Sequence, residues 1–69
     1  MKNVTFIINV IKPTQETGFV KSVSSRGKLT ITTDKRKAKH YRNEEAVMYD
    51  LDLLANYTIE GYNFYYNFE

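Results

Sequence analysis

At Thr33 the apolar residues of this chain change their period, and that change sets the expected fold class. Before Thr33 they alternate as in half-buried strands; after it they recur at the three- and four-residue steps of a helix. The first apolar segment is Val4–Ile11. Val4, Phe6, Ile8 and Val10 share one face, and Thr5, Ile7, Asn9 and Ile11 share the other. Apolar groups on both faces predict a central strand, or one whose second face is partly covered. Pro13 and Gly18 bracket a polar loop of Thr14, Gln15, Glu16 and Thr17. A second strand is expected from Phe19 to Ser24, then a tight turn over Ser25–Lys28 with Gly27 at positive φ. The third, Lys28–Thr33, sends Leu29 and Ile31 inward and Thr30 and Thr32 outward. Short connections make the three an antiparallel meander.

Beyond Thr33 the pattern is helical. Thr33 or Asp34 can cap a short turn through Lys35–Ala38, and Tyr41 follows as an apolar anchor. Asn43 caps the main helix, where Glu44 and Glu45 suit the positive end of the helix dipole. Val47, Met48, Leu51, Leu54 and Ala55 form its apolar stripe, with Glu45, Asp50 and Asp52 expected away from it. Asn56 is read as the helix terminator, because its side chain tolerates the left-handed conformation. The aromatic segment Tyr57–Glu69 reads as a last strand. Tyr57 and Ile59 share one parity while Tyr62, Phe64, Tyr66 and Phe68 share the other, which predicts a β-bulge at Glu60–Gly61. The expected architecture is a single α+β domain over residues 1–69. It comprises a small antiparallel sheet in the order β-β-β-α-β, a short helical turn before the main helix, and one helix packed on one face.

With 69 residues the core is small, and a chain of this size often needs a staple. It has no Cys and a single His, so disulfides and thiolate zinc sites are excluded and no metal or cofactor is expected. Packing against another chain is the remaining source of extra stability. Val4–Ile11 is too short to span a bilayer and no small-residue cleavage site follows it, so the expectation is a soluble, cytoplasmic protein without a membrane partner.

Charge is divided along the chain. All ten Lys and Arg lie within residues 1–42 beside Glu16 and Asp34, giving +8, while residues 43–69 hold six acidic residues and no cation, giving −6. The densest cluster is Lys35, Arg36, Lys37, Lys39 and Arg42, a candidate contact for phosphates or for an acidic protein surface. Its ordinary alternative is a solvated connector, in which pairs with Glu44 or Glu45 contribute about 0–1 kcal/mol each. The aromatic row Tyr62, Phe64, Tyr66 and Phe68 is expected in the core opposite Val47, Leu51 and Leu54. Asn63, Tyr65 and Asn67 have the opposite parity and are the candidate exposed contact, where the lack of nearby cations favours protein over nucleic acid. Catalysis finds little support. Asp50 and Asp52 diverge on a helix, His40 stands in a cationic run, and no nucleophile or phosphate-loop motif is present.

The stretch Thr32–Ala46 resembles a pattern in small proteins of phages and prophages of Gram-positive bacteria. There a strand ending in Thr-Asp leads through a basic, Ala-containing turn to an aromatic residue and an acidic helix start. The resemblance implies a scaffold, and it implies proteins that bind and block host proteins, defence nucleases among them. It carries over no functional residue. Three functional expectations follow. The first is a non-enzymatic binding module, a phage-type accessory protein that inhibits or redirects a host protein or ribonucleoprotein in the host cytoplasm. The second is a small DNA- or RNA-binding protein using the basic connector. The third is a self-associating subunit, joined head to tail through its charged poles or as a homodimer through its last strand.

Overall fold

The computed structural model describes residues 5–68; Val4 and Glu69, placed in strands by the sequence, lie outside that range. Four strands form one antiparallel sheet: β1 Phe6–Ile11, β2 Thr17–Val23, β3 Leu29–Thr32 and β4 Asn63–Phe68, in the spatial order β3-β2-β1-β4. Helices α1 Glu44–Leu53 and α2 Ala55–Ile59 follow a 3-10 turn at Lys35–Lys37. The expected α+β architecture is the observed one. Among the described residues no helix is long and apolar enough to cross a membrane.

β1 is central, as its two apolar faces require. Phe6, Ile8 and Val10 join Val20, Tyr41, Val47 and Leu54 in the core beneath the helices, and Ile7 is buried on the opposite face. Full burial of a side chain such as Ile8, Val47 or Leu54 contributes about 1.5–3 kcal/mol each. β4 supplies the longest partnership, running from Phe6↔Phe68 to Ile11↔Asn63. β2 pairs with β1 only from Asn9↔Phe19 to Ile11↔Thr17. Its register on β3 then shifts between Val20 and Ser22, leaving Lys21 as an extra residue.

Glycine placement departs from the sequence reading at two positions. Gly18 is not a loop glycine but a buried residue of β2 opposite Val10. A Cβ there would stand 2.8 Å from Ile31 Cγ2 and 3.1 Å from Thr32 O, so a close approach to β3 requires the bare backbone. The positive φ of that loop falls instead on Gln15, at 76°. Gly61 is not a bulge. The helix breaks at Leu54, passes Asn56 and runs to Ile59, and Gly61, with φ 105°, closes its cap. The Tyr62 N–H donates to Tyr57 O at 3.0 Å and the Gly61 N–H to Thr58 O at 3.1 Å, the paired bonds of a Schellman cap.

Tyr57–Ile59, read as strand, is therefore helical. The Tyr57 ring still reaches the core, edge-on to Tyr62 at 5.2 Å, and its hydroxyl accepts from the Leu29 N–H at 3.1 Å. Those tertiary bonds override the strand preference of an isolated Tyr-Thr-Ile. Gly27 behaves as expected, with φ 81° in the β2–β3 turn, where Ser24 Oγ accepts from the Lys28 N–H at 3.0 Å.

Candidate functional site

Because β2 leaves β1 early, a gap opens beside the first half of β1, and the basic connector fills it. Asp34 starts the 3-10 turn by accepting from the Arg36 N–H at 2.9 Å. Ala38 is buried after it. The Lys39 N–H then donates to Val20 O at 2.9 Å, and Phe6 and Tyr41 exchange both main-chain bonds at 2.8 Å. A segment pinned to two strands at once holds its side chains in defined directions. Tyr41 points into the core, the anchor its position predicted.

The Tyr41 ring brings its hydroxyl to an acidic partner. Asp50 is 4% exposed, and its Oδ2 accepts from the Tyr41 hydroxyl and from Lys39 Nζ, the latter at 2.9 Å. Lys39 Nζ also lies 4.9 Å from the centre of the Tyr41 ring. Burial foremost, and then the bond to the Asp50 carboxylate, push the Tyr41 phenol well above its ordinary range. The expectation that Asp50 lies off the buried face of the helix is overturned. Val47, Asp50, Leu51 and Leu54 face inward, while Met48 is 43% exposed and Ala55 is exposed. Apolarity ranks methionine above aspartate, but two donors waiting at position 50 reverse that order.

Around this group lies a cleft of about 600 Å³ between the end of β2, the connector and α1. Val23, Ala46 and Leu53 supply its apolar wall; His40, Arg42 and the 64%-exposed Tyr49 stand at it as well. Lys39 and Arg42, of the five connector cations, line this cleft; Lys35, Arg36 and Lys37 are exposed on the 3-10 turn. Arg36 meets Asp34 at 3.4 Å with its side chain 91% exposed, a pair worth about 0–1 kcal/mol. Lys39 differs in kind. Removing it would leave the buried Asp50 carboxylate without its counter-charge, so its first role is structural.

The second candidate lies on the sheet face away from the core. Asn63, Tyr65 and Asn67 stand opposite Ile11, Asn9 and Ile7, and all three are exposed. Asn9 Nδ2 donates to Tyr65 O at 3.3 Å and to Asn67 Oδ1, tying the row to β1. Tyr65, Asn9, Thr17 and Phe19 border a hollow of about 470 Å³ whose lining holds no charged residue. On the other face Tyr62, Phe64 and Tyr66 pack against the core as expected, with the Tyr66 hydroxyl donating to Glu44 Oε2 at 2.9 Å. Phe68 corrects the expectation for its row. It is 65% exposed and touches Phe6 at 4.7 Å between ring centres.

The basic connector and the Tyr65 row share no lining residue, so they are two separate surfaces. Sequence reasoning missed Tyr49 and Asp50 at the cleft. A signal for Asp50 was present: it stands three residues after Val47 and four before Leu54, on the face those two define. Comparison with known protein families, with curated proteins and with solved structures finds no match.

Proposed function

We propose that this protein is a non-enzymatic binding module of the phage-accessory kind, which occupies a host protein in the host cytoplasm and thereby inhibits or redirects it. The observation that carries this reading is the cleft beside α1, where Arg42 and Lys39 accompany an apolar wall of Val23, Ala46 and Leu53. Cations over apolar surface suit a protein segment that presents carboxylates beside apolar side chains. Lys39 already offsets the carboxylate inside the cleft, so an arriving acidic group meets net positive potential. A nucleic acid would need a track of cations free to follow successive phosphates, and here Lys39 is held by Asp50 and Arg36 shares Asp34.

The test is a pull-down from bacterial lysate with the whole chain, run beside Arg42→Glu and Tyr65→Ala, followed by titration of the captured protein in pure form. One stoichiometric protein is expected, bound by the Tyr65→Ala chain as by the parent and at least about tenfold more weakly by Arg42→Glu. Capture of nucleic acid in its place, or binding indifferent to Arg42→Glu, overturns the reading.

A further inference from the structure

We propose that β4 is a self-complementary edge and that two copies of this chain pair through it, across a two-fold axis, into one continuous eight-stranded sheet. β4 lies at the end of the strand order, and no described residue pairs with its second edge. The direction of its main-chain groups follows from β1. Phe6 exchanges its N–H and C=O with Tyr41 on the β2 side, so Ile7, Asn9 and Ile11 direct theirs to β4. Asn67, Tyr65 and Asn63 are therefore used by β1, and the N–H and C=O groups of Phe64, Tyr66 and Phe68 point to the free edge.

Edge strands that must stay single are blunted by Lys, Pro or a bulge, and Asn63–Phe68 has none of these. It carries no charged side chain, so its own copy can approach without like charges meeting along the strand. Two-fold pairing also selects a register. Opposed residues must lie on the same face, which limits the choices to every second alignment. Only the alignment centred on Tyr66 gives all three outward residues a partner within the strand: Phe64 with the copy's Phe68, and Tyr66 with the copy's Tyr66. That alignment sets the exposed Phe68 ring beside the copy's Phe64, and on the outer face it sets Tyr65 beside the copy's Asn67. A second copy accounts for an exposed phenylalanine on an uncharged, unblunted edge. It goes beyond the proposed host contact, which uses the other side of the molecule.

Sedimentation of the whole chain over a concentration series should show a monomer–dimer equilibrium. Added salt should leave the dimer intact, because no opposite charges meet at this edge, whereas a head-to-tail contact of the charged poles would come apart. Phe68→Lys should weaken dimerisation at least about tenfold, with the circular dichroism of the monomer unchanged. The register is tested on the exposed outer face, where substitution leaves the core intact. Under mild oxidation an equimolar mixture of Tyr65→Cys and Asn67→Cys chains should form a disulfide-linked heterodimer, while neither variant should cross-link alone. A strict monomer at every concentration overturns the proposal, as does a dimer in which the mixture fails to cross-link.

Discussion

The Tyr41 hydroxyl donates to Asp50 Oδ2 inside the protein, joining a strand-like connector to a helix that begins only three residues later. Lys39 Nζ completes the group on the same oxygen. Among the described residues no buried side-chain polar atom lacks a partner, so deleting one member leaves another exposed to the cost of desolvation. Tyr41→Phe should lower the free energy of unfolding by about 1–3 kcal/mol, measured by urea denaturation. Paired with Asp50→Ala in a double-mutant cycle, the two effects should be clearly less than additive, because each removes the same bond.

Burial of the Tyr41 phenol, reinforced by the same bond, sets an alkaline limit. The folded state holds the Tyr41 proton well above the ordinary tyrosine value of 10.0, chiefly because the ring is buried and secondarily because Asp50 accepts its bond. Above that pH the unfolded chain releases the proton while the folded chain keeps it. The unfolded state then binds fewer protons, and stability falls as pH rises. The contribution is fully present below the ordinary value of 10.0 and is lost above it at about 1.4 kcal/mol per pH unit. Urea midpoints measured across the alkaline range should show this slope, and Tyr41→Phe should flatten it.

Two glycines at positive φ should differ in their sensitivity to alanine. At Gly61 a Cβ would meet only Pro13 side-chain carbons at 3.4 and 3.5 Å, so Gly61→Ala should cost the conformational penalty of about 1–2 kcal/mol. At Gly27 the Cβ would also stand 2.9 Å from Leu53 O, a backbone atom with little room to yield. Gly27→Ala should therefore destabilise more than Gly61→Ala, an order that thermal denaturation of the two variants reads directly.

The buried face of α1 can be mapped by substitution. Met48→Gln should cost far less than a core truncation, about 0.5 kcal/mol, because Met48 is already 43% exposed. Leu54→Ala empties a fully buried position and should cost about 2–5 kcal/mol. Asn43→Ala removes the bond that Asn43 Oδ1 accepts from the Ala46 N–H, at a cost of about 1 kcal/mol. Equal losses at Met48 and Leu54 would contradict the helix orientation seen here.

Local chemistry was legible wherever a residue acts on its own neighbours. Asp34 and Asn43 cap their turns, Gly27 takes the left-handed position, and β1 is central because apolar groups occupy both its faces. Asn63, Tyr65 and Asn67 were legible as an exposed row, because a strand's alternation fixes which residues share a face. Gly18 and Gly61 were misassigned for a common reason. One glycine serves a close approach to Ile31 and Thr32, and the other ends a helix whose Tyr57 is held from Leu29, so what places each lies far off in sequence.

What the sequence determined by itself was the period of its apolar residues, and through that period the α+β class, the four strands, the main helix and the caps at Asp34 and Asn43. Only the tertiary structure decided that the connector would fill the gap left by β2, that Asp50 would be buried against Tyr41 and Lys39, and that Tyr57 would reach the core from a helix. The physical reason is the same in each case. Periodicity reports the average cost of exposing a side chain, whereas these three positions are settled by individual hydrogen bonds between segments that meet only when the sheet and helices have docked.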